Sequence, residues 1–114
     1  MKSGLVRRVQ RRLIRDDLTI VILSAAVVSG ISTYISFRTH YILAYNDAAA
    51  HLDTARRIFD SLTPGLIQIG SVWLPLLHLL LVPFVSVSWL WQTGLAGSIV
   101  SGISFVLICV FAYS

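Results

Sequence analysis

Charge is scarce in this chain. Only 12% of its 114 residues are Asp, Glu, Lys or Arg, while 56% are hydrophobic, and mean hydropathy is +0.81. A soluble domain carries about 25% charged residues, because nearly all of its surface meets water. Cysteine is almost absent, with Cys109 standing alone inside an apolar run. A single thiol excludes an intrachain disulfide and a cysteine-based metal site. The three histidines, His40, His51 and His78, show no metal-ligand spacing with one another or with the loop carboxylates. No metal site is therefore predicted, although three histidines and three carboxylates are chemically able to serve one. The basic N-terminus lacks interleaved aromatics on which bases would stack, which argues against nucleic acid as a partner.

What the chain does have is long runs without charge. Residues 18–37, LTIVILSAAVVSGISTYISF, are twenty positions with no ionisable Asp, Glu, Lys or Arg. At about 1.5 Å per residue a helix of that length covers roughly 30 Å, the thickness of a bilayer core. Lipid cannot satisfy backbone N–H and C=O groups, so such a run is helical if it spans. Six of the nine basic residues (Lys2, Arg7, Arg8, Arg11, Arg12, Arg15) precede it, and Arg38 and His40 close it. Basic flanks are retained on the cytoplasmic side and meet anionic headgroups. A signal peptide is the competing reading, but the run exceeds the usual apolar region of one and no small-residue cleavage pattern follows. Ahead of it, Leu5, Val9, Leu13 and Ile14 recur at helical spacing opposite the arginines, as in a helix lying in the membrane interface.

The expected organisation is an all-α membrane protein, multi-pass in the plasma membrane with its N-terminus cytoplasmic. A basic amphipathic arm (1–17) leads into a first transmembrane helix (18–37). An outer-face loop (38–92) follows with one or two amphipathic interfacial helices, at about 47–62 and 74–90. A second transmembrane helix (93–114) ends the chain. In the loop, Asn46 is the predicted N-cap and Asp47 lies in the first turn, where the helix dipole favours a carboxylate. Leu52, Ala55, Ile58, Phe59 and Leu62 form the expected apolar side, and Asp53, Arg56, Arg57 and Asp60 the polar one. Pro64-Gly65 is the expected stop. Pro75 and Pro83 interrupt the next apolar stretch, and Trp73, Trp89 and Trp91 suit the headgroup level. Gly94, Ser98 and Gly102 fall four apart, a spacing that admits close approach of another helix. The last run has no basic flank, so a longer parent polypeptide is expected.

Chemistry is concentrated between Tyr45 and His78. Asp47 and His51 stand one helical turn apart on one face, and a carboxylate at the start of an external helix can act as a general base on an acceptor hydroxyl. Arg56 and Arg57 carry guanidinium groups suited to phosphate oxygens, or alternatively to Asp53, Asp60 and lipid headgroups. Duller roles are also open: Asp47 as a helix N-terminal charge, and His51 as a solvated interfacial residue.

The order of these features resembles the start of a GT-C type membrane glycosyltransferase. That order is a basic arm, a span, a loop with Asp47 near its start, an amphipathic helix closed by Pro64-Gly65, then Trp73-Leu74-Pro75. It is most similar to the family-39-like group, which includes dolichyl-phosphate-mannose–protein mannosyltransferases and lipid A aminoarabinose transferases. The likeness covers about residues 18–84 and rests on order more than on any one tripeptide. Many relatives have adjacent acidic residues where Asn46-Asp47 stands, and a His-Pro-Pro type segment where Trp73-Leu74-Pro75 stands. The resemblance implies that Asp47 is the catalytic base. It places His51, Arg56 and Arg57 along one surface helix and Trp73 and His78 on the second, as substrate-binding residues. The implied partners are the lipid bilayer and a polyprenyl-phosphate-linked sugar donor, with the acceptor unspecified. No cofactor is predicted, and a divalent-metal requirement stays open. The alternative class is a small two-span membrane subunit or assembly protein without catalytic activity.

Overall fold

The computed structural model describes residues 2–69 and 75–113, with side chains placed for 16–69 and 75–113. Trp73, expected at the substrate site, lies outside the described residues. Five α-helices follow one another: α1 (Lys2–Arg38), α2 (Asn46–Asp60), α3 (Pro75–Val85), α4 (Ser88–Thr93) and α5 (Leu95–Tyr113). A short 3-10 helix, Leu66–Ile69, lies between α2 and α3. No strand occurs among the described residues. Two segments are long and apolar enough to cross a membrane, Asp16–Arg38 within α1 and all of α5. Their large side chains point outward: Ile20, Leu23, Val27, Ile31, Ile108 and Phe111 are all exposed. Such surfaces are unstable in water and stable in hydrocarbon.

The basic arm and the first apolar run share the single helix α1, with no break at Asp16-Asp17. The lack of Gly or Pro at that junction leaves nothing to interrupt the backbone ladder. α1 ends in a Schellman arrangement that lacks the usual glycine. His40 takes φ 59, and the Tyr41 N–H reaches back to the Ser36 carbonyl at 3.0 Å.

The chain forms two compact units. One comprises residues 1–31 with 102–114, the other residues 32–101. In the first, Gly102 comes so close to α1 that a Cβ there would stand 2.7 Å from Ser29 Oγ. The small-residue spacing thus marks a true helix approach at Gly102. The Tyr113 hydroxyl also donates to Asp17 Oδ2 at 3.4 Å.

The second unit holds a small core of Leu52, Ala55, Leu81, Val85, Ala96 and Val100, with Phe84, Leu90 and Trp91 packed on it. α2 contributes Leu52 and Ala55, and α3 contributes His78, Leu81 and Val85 at helical spacing. The loop helix therefore buries its stripe against protein. Phe59, placed on that stripe by the sequence, is exposed, and Leu62 lies beyond the helix end, fully exposed. The N-terminal boundary also differs from expectation. Tyr45 occupies the N-cap without a side-chain bond, and Asn46 is already helical. Gly65, at φ 141, closes the exit of α2, its N–H donating to the Ile58 carbonyl at 3.1 Å.

The expected 74–90 helix is two helices. Pro75 opens α3, a position where its missing N–H costs nothing. Pro83 sits inside α3 without ending it at once. It removes the hydrogen bond that would cap Leu79, and the helix survives only to Val85. α4 then ends at Gly94, in the left-handed region with φ 78. A Cβ on Gly94 would clash with Ile42 and stand 2.8 Å from Leu43 Cδ2. Gly94→Ala combines positive-φ strain with that clash, so it is expected to destabilise this unit by about 2–3 kcal/mol. Equilibrium unfolding in detergent measures this, and an unchanged midpoint would contradict the close packing.

Candidate functional site

The candidate site lies where α2 meets α3. Helical spacing aligns Asp47, His51 and Ala55 along one flank of α2, and Ala55 is fully buried. That flank faces α3, whose own stripe begins at His78. The result is a pair of imidazoles: His51 Nδ1 and His78 Nε2 stand 3.0 Å apart. Their ring centroids are 5.1 Å apart with planes inclined by 39°. The separation of the two nitrogens is that of a hydrogen bond. His78 is completely buried, whereas His51 is half-buried. Burial pushes the His78 pKa below its ordinary value of 6.5, and the neighbouring His51 adds to the depression. Both effects oppose placing a charge on the inner ring.

A stability prediction follows. A histidine held neutral by the fold contributes stability that is complete above its unfolded value, 6.5. That stability is lost as pH falls from there through the depressed folded value, because the unfolded chain then binds the extra proton. The α2–α3 unit is therefore expected to lose up to about 1.4 kcal/mol per pH unit within that window. Denaturation midpoints at pH 7.5 and below pH 6 measure it. His78→Phe should flatten the difference, and an equally steep loss in that variant would refute the assignment to His78.

Asp47 is exposed on the first turn of α2 and makes no hydrogen bond or ion pair with any described residue. The other two loop carboxylates are engaged by the fold. Asp53 Oδ1 accepts from Trp91 Nε1 at 3.0 Å. Asp60 accepts from Arg56 Nε in an i,i+4 pair.

The structure separates the two adjacent arginines. Arg56 donates to the Val85 carbonyl at 2.5 Å and to the Ser86 carbonyl at 3.2 Å, and Nη2 lies 3.4 Å from Ser88 Oγ. Its guanidinium also sits 5.1 Å from the centre of the Trp91 ring. Arg56 is thus committed to holding the α3–α4 corner on α2. Arg57, on the outer face, is exposed and pairs with no described residue. Of the two, Arg57 is the guanidinium left available to an external phosphate. Helix rise puts it about 15 Å along the axis from Asp47.

Trp91 packs on α2 through Asp53 and Arg56, so its role in the structure is tertiary. Trp89 is exposed and meets Phe37 edge-on at 6.4 Å. Sequence reasoning missed the His51–His78 contact and the grip of Arg56 on two carbonyls. Among the described residues no three His, Cys, Asp or Glu side chains converge as a metal site would need. No known protein family, curated protein or solved structure matches this chain.

Proposed function

We propose that this chain is the N-terminal part of an integral membrane glycosyltransferase. The enzyme moves a sugar from a polyprenyl- or dolichyl-phosphate donor to an acceptor on the outer face of the membrane. In this reading Asp16–Arg38 and α5 cross the bilayer, the N-terminus is cytoplasmic, and the α2–α4 unit lies on the outer surface. The remainder of the donor cavity comes from helices beyond these two, because two spans do not enclose a lipid phosphate.

The observation that carries the reading is the state of Asp47. It is the one loop carboxylate left unengaged by the described residues, and it stands exposed at a helix N-terminus one turn from His51. A carboxylate so placed can accept the proton of an attacking hydroxyl. The donor's lipid tail meanwhile stays in the bilayer. Arg57 supplies positive charge toward the donor phosphate. The resemblance to GT-C enzymes, in the order of arm, span, acidic loop start and Trp-Leu-Pro segment, points the same way.

The test is transfer from a labelled polyprenyl-phosphate sugar by membranes carrying the parent polypeptide with Asp47→Asn. Loss of transfer at normal expression supports the proposal. Undiminished transfer overturns it and leaves the two-span subunit as the reading to pursue.

A further inference from the structure

We propose that the outward face of α3 is a lipid-contact surface, seated in the outer leaflet beside the start of α5, with α2 carried above it in water. The inference rests on the membrane reading given above and is independent of sugar transfer.

α3 contains no Asp, Glu, Lys or Arg, and its one polar side chain, His78, is turned inward and completely buried. Leu81 and Val85 follow it at helical spacing into the core. On the other side, Leu76, Leu77, Leu79, Leu80 and Pro83 form one continuous exposed face. α2 packs on α3 and shows the reverse composition. Leu52 and Ala55 enter the same core, while Asn46, Asp53, Arg57 and Asp60 stand exposed on the opposite side of that helix. Each helix has spent its buried stripe on the other, yet the pair is amphipathic as a unit. One outer side carries charge, and the other carries only leucine and proline. Water favours the first side and hydrocarbon the second.

The position of α3 says which solvent is at hand. The core that joins α2 and α3 also contains Ala96 and Val100, from the first two turns of α5. α5 is one of the two helices long and apolar enough to cross a membrane. α3 is thus packed on the segment where that helix begins. Residues 32–38, the end of the other such helix, belong to the same compact unit. There Phe37 meets the exposed Trp89 of α4 edge-on at 6.4 Å, and an indole favours the headgroup level. With 11 residues α3 is about 16 Å long, roughly half of a hydrocarbon core, so it lies within one leaflet and does not cross.

A protein partner would suit this face poorly. Protein interfaces carry about one hydrogen bond per 100–200 Å², and helices that pack closely within a membrane meet through Gly, Ala, Ser or Thr. The exposed face of α3 offers no side-chain donor or acceptor and no small residue. Acyl chains require neither.

The test uses the full 114-residue chain in phosphatidylcholine nanodiscs, with Cys109→Ser and a spin label on one introduced cysteine. Leu76, 67% exposed, and Leu80, 48% exposed, report the α3 face. Arg57 reports the outer side of α2, and Val27 the first apolar helix. Oxygen partitions into hydrocarbon, whereas a polar nickel chelate stays in water. Labels on Leu76→Cys and Leu80→Cys are expected to gain oxygen collisions and lose nickel collisions several-fold relative to Arg57→Cys, approaching Val27→Cys. Nickel access at both α3 positions equal to that at Arg57, with Val27 shielded, overturns the lipid seat and leaves the membrane reading standing. Exclusion of both reagents shows a protein cover, a second copy or another chain, and also overturns it. Nickel access at Val27 removes the membrane reading and this inference with it. Where a label disturbs the fold, the wild-type chain decides, in nanodiscs whose acyl chains carry a diazirine. After photolysis adducts are expected within residues 75–85, and adducts confined to the two long helices refute the seat.

Discussion

Replacing Asp47 by asparagine is expected to lower sugar transfer by the parent polypeptide about 10²- to 10⁴-fold, the range over which a positioned general base accelerates a reaction. The substitution keeps the size and polarity of the side chain and removes only its basicity. Because Asp47 is exposed and bonds to no described residue, the change should leave the stability of the α2–α3 unit within about 0.5 kcal/mol of the parent, as for surface positions generally. That separation of effects makes the experiment informative, and the neighbouring carboxylates give the contrast. Asp53→Ala removes the acceptor of Trp91 Nε1, and Asp60→Ala removes the partner of Arg56 Nε. Each should cost about 1 kcal/mol of stability, with transfer per folded molecule nearly unchanged. If all three variants lost transfer in proportion to lost folded protein, Asp47 would be structural and the assignment would fail.

The features legible in the sequence were those that sum over many residues or rest on backbone chemistry. Twenty uncharged positions give a membrane-length helix wherever they occur, and both such helices are found. Pro64-Gly65 ends α2 and Pro75 begins α3 for steric reasons that act within a few residues. What stayed hidden were pairings between distant positions. His51 and His78 are 27 residues apart, and Trp91 and Asp53 are 38 apart; no spacing rule connects them. The distinction between Arg56 and Arg57 was closer to hand. Arg56 follows Leu52 by four and so flanks the buried stripe, whereas Arg57 follows Ala55 by two and points away from it. Extending the apolar side to Phe59 and Leu62 blurred that phase. The end of α1 at Arg38 was marked by the charge of Arg38 and His40, but its left-handed closure was not, because that position is filled by His40 where glycine is the usual mark.

The same phase argument carries the second large effect. Arg56→Met is expected to destabilise the α2–α4 unit by about 2–3 kcal/mol, because hydrogen bonds to a charged group are worth about 1.5–3 kcal/mol and the part-buried Val85 carbonyl is left unpaired. The guanidinium is 15% exposed and serves the carbonyls of Val85 and Ser86 together with Asp60. Those carbonyls sit at the end of α3, where helix geometry leaves them without intrahelical donors. Arg56 thus caps α3 from another helix while its face lies against Trp91. Lysine should recover under half of the loss, since an ammonium neither forks between two carbonyls nor stacks as a plane. Unfolding midpoints and protease resistance in detergent measure both variants. Arg57→Met gives the complementary outcome: stability unchanged, and the KM for a polyprenyl-phosphate donor raised in the parent polypeptide. A phosphate role for Arg56 would reverse the pattern, raising KM in a fully stable Arg56→Met protein. The α3 carbonyls would then need another donor, and no other bond to the Val85 carbonyl is found among the described residues.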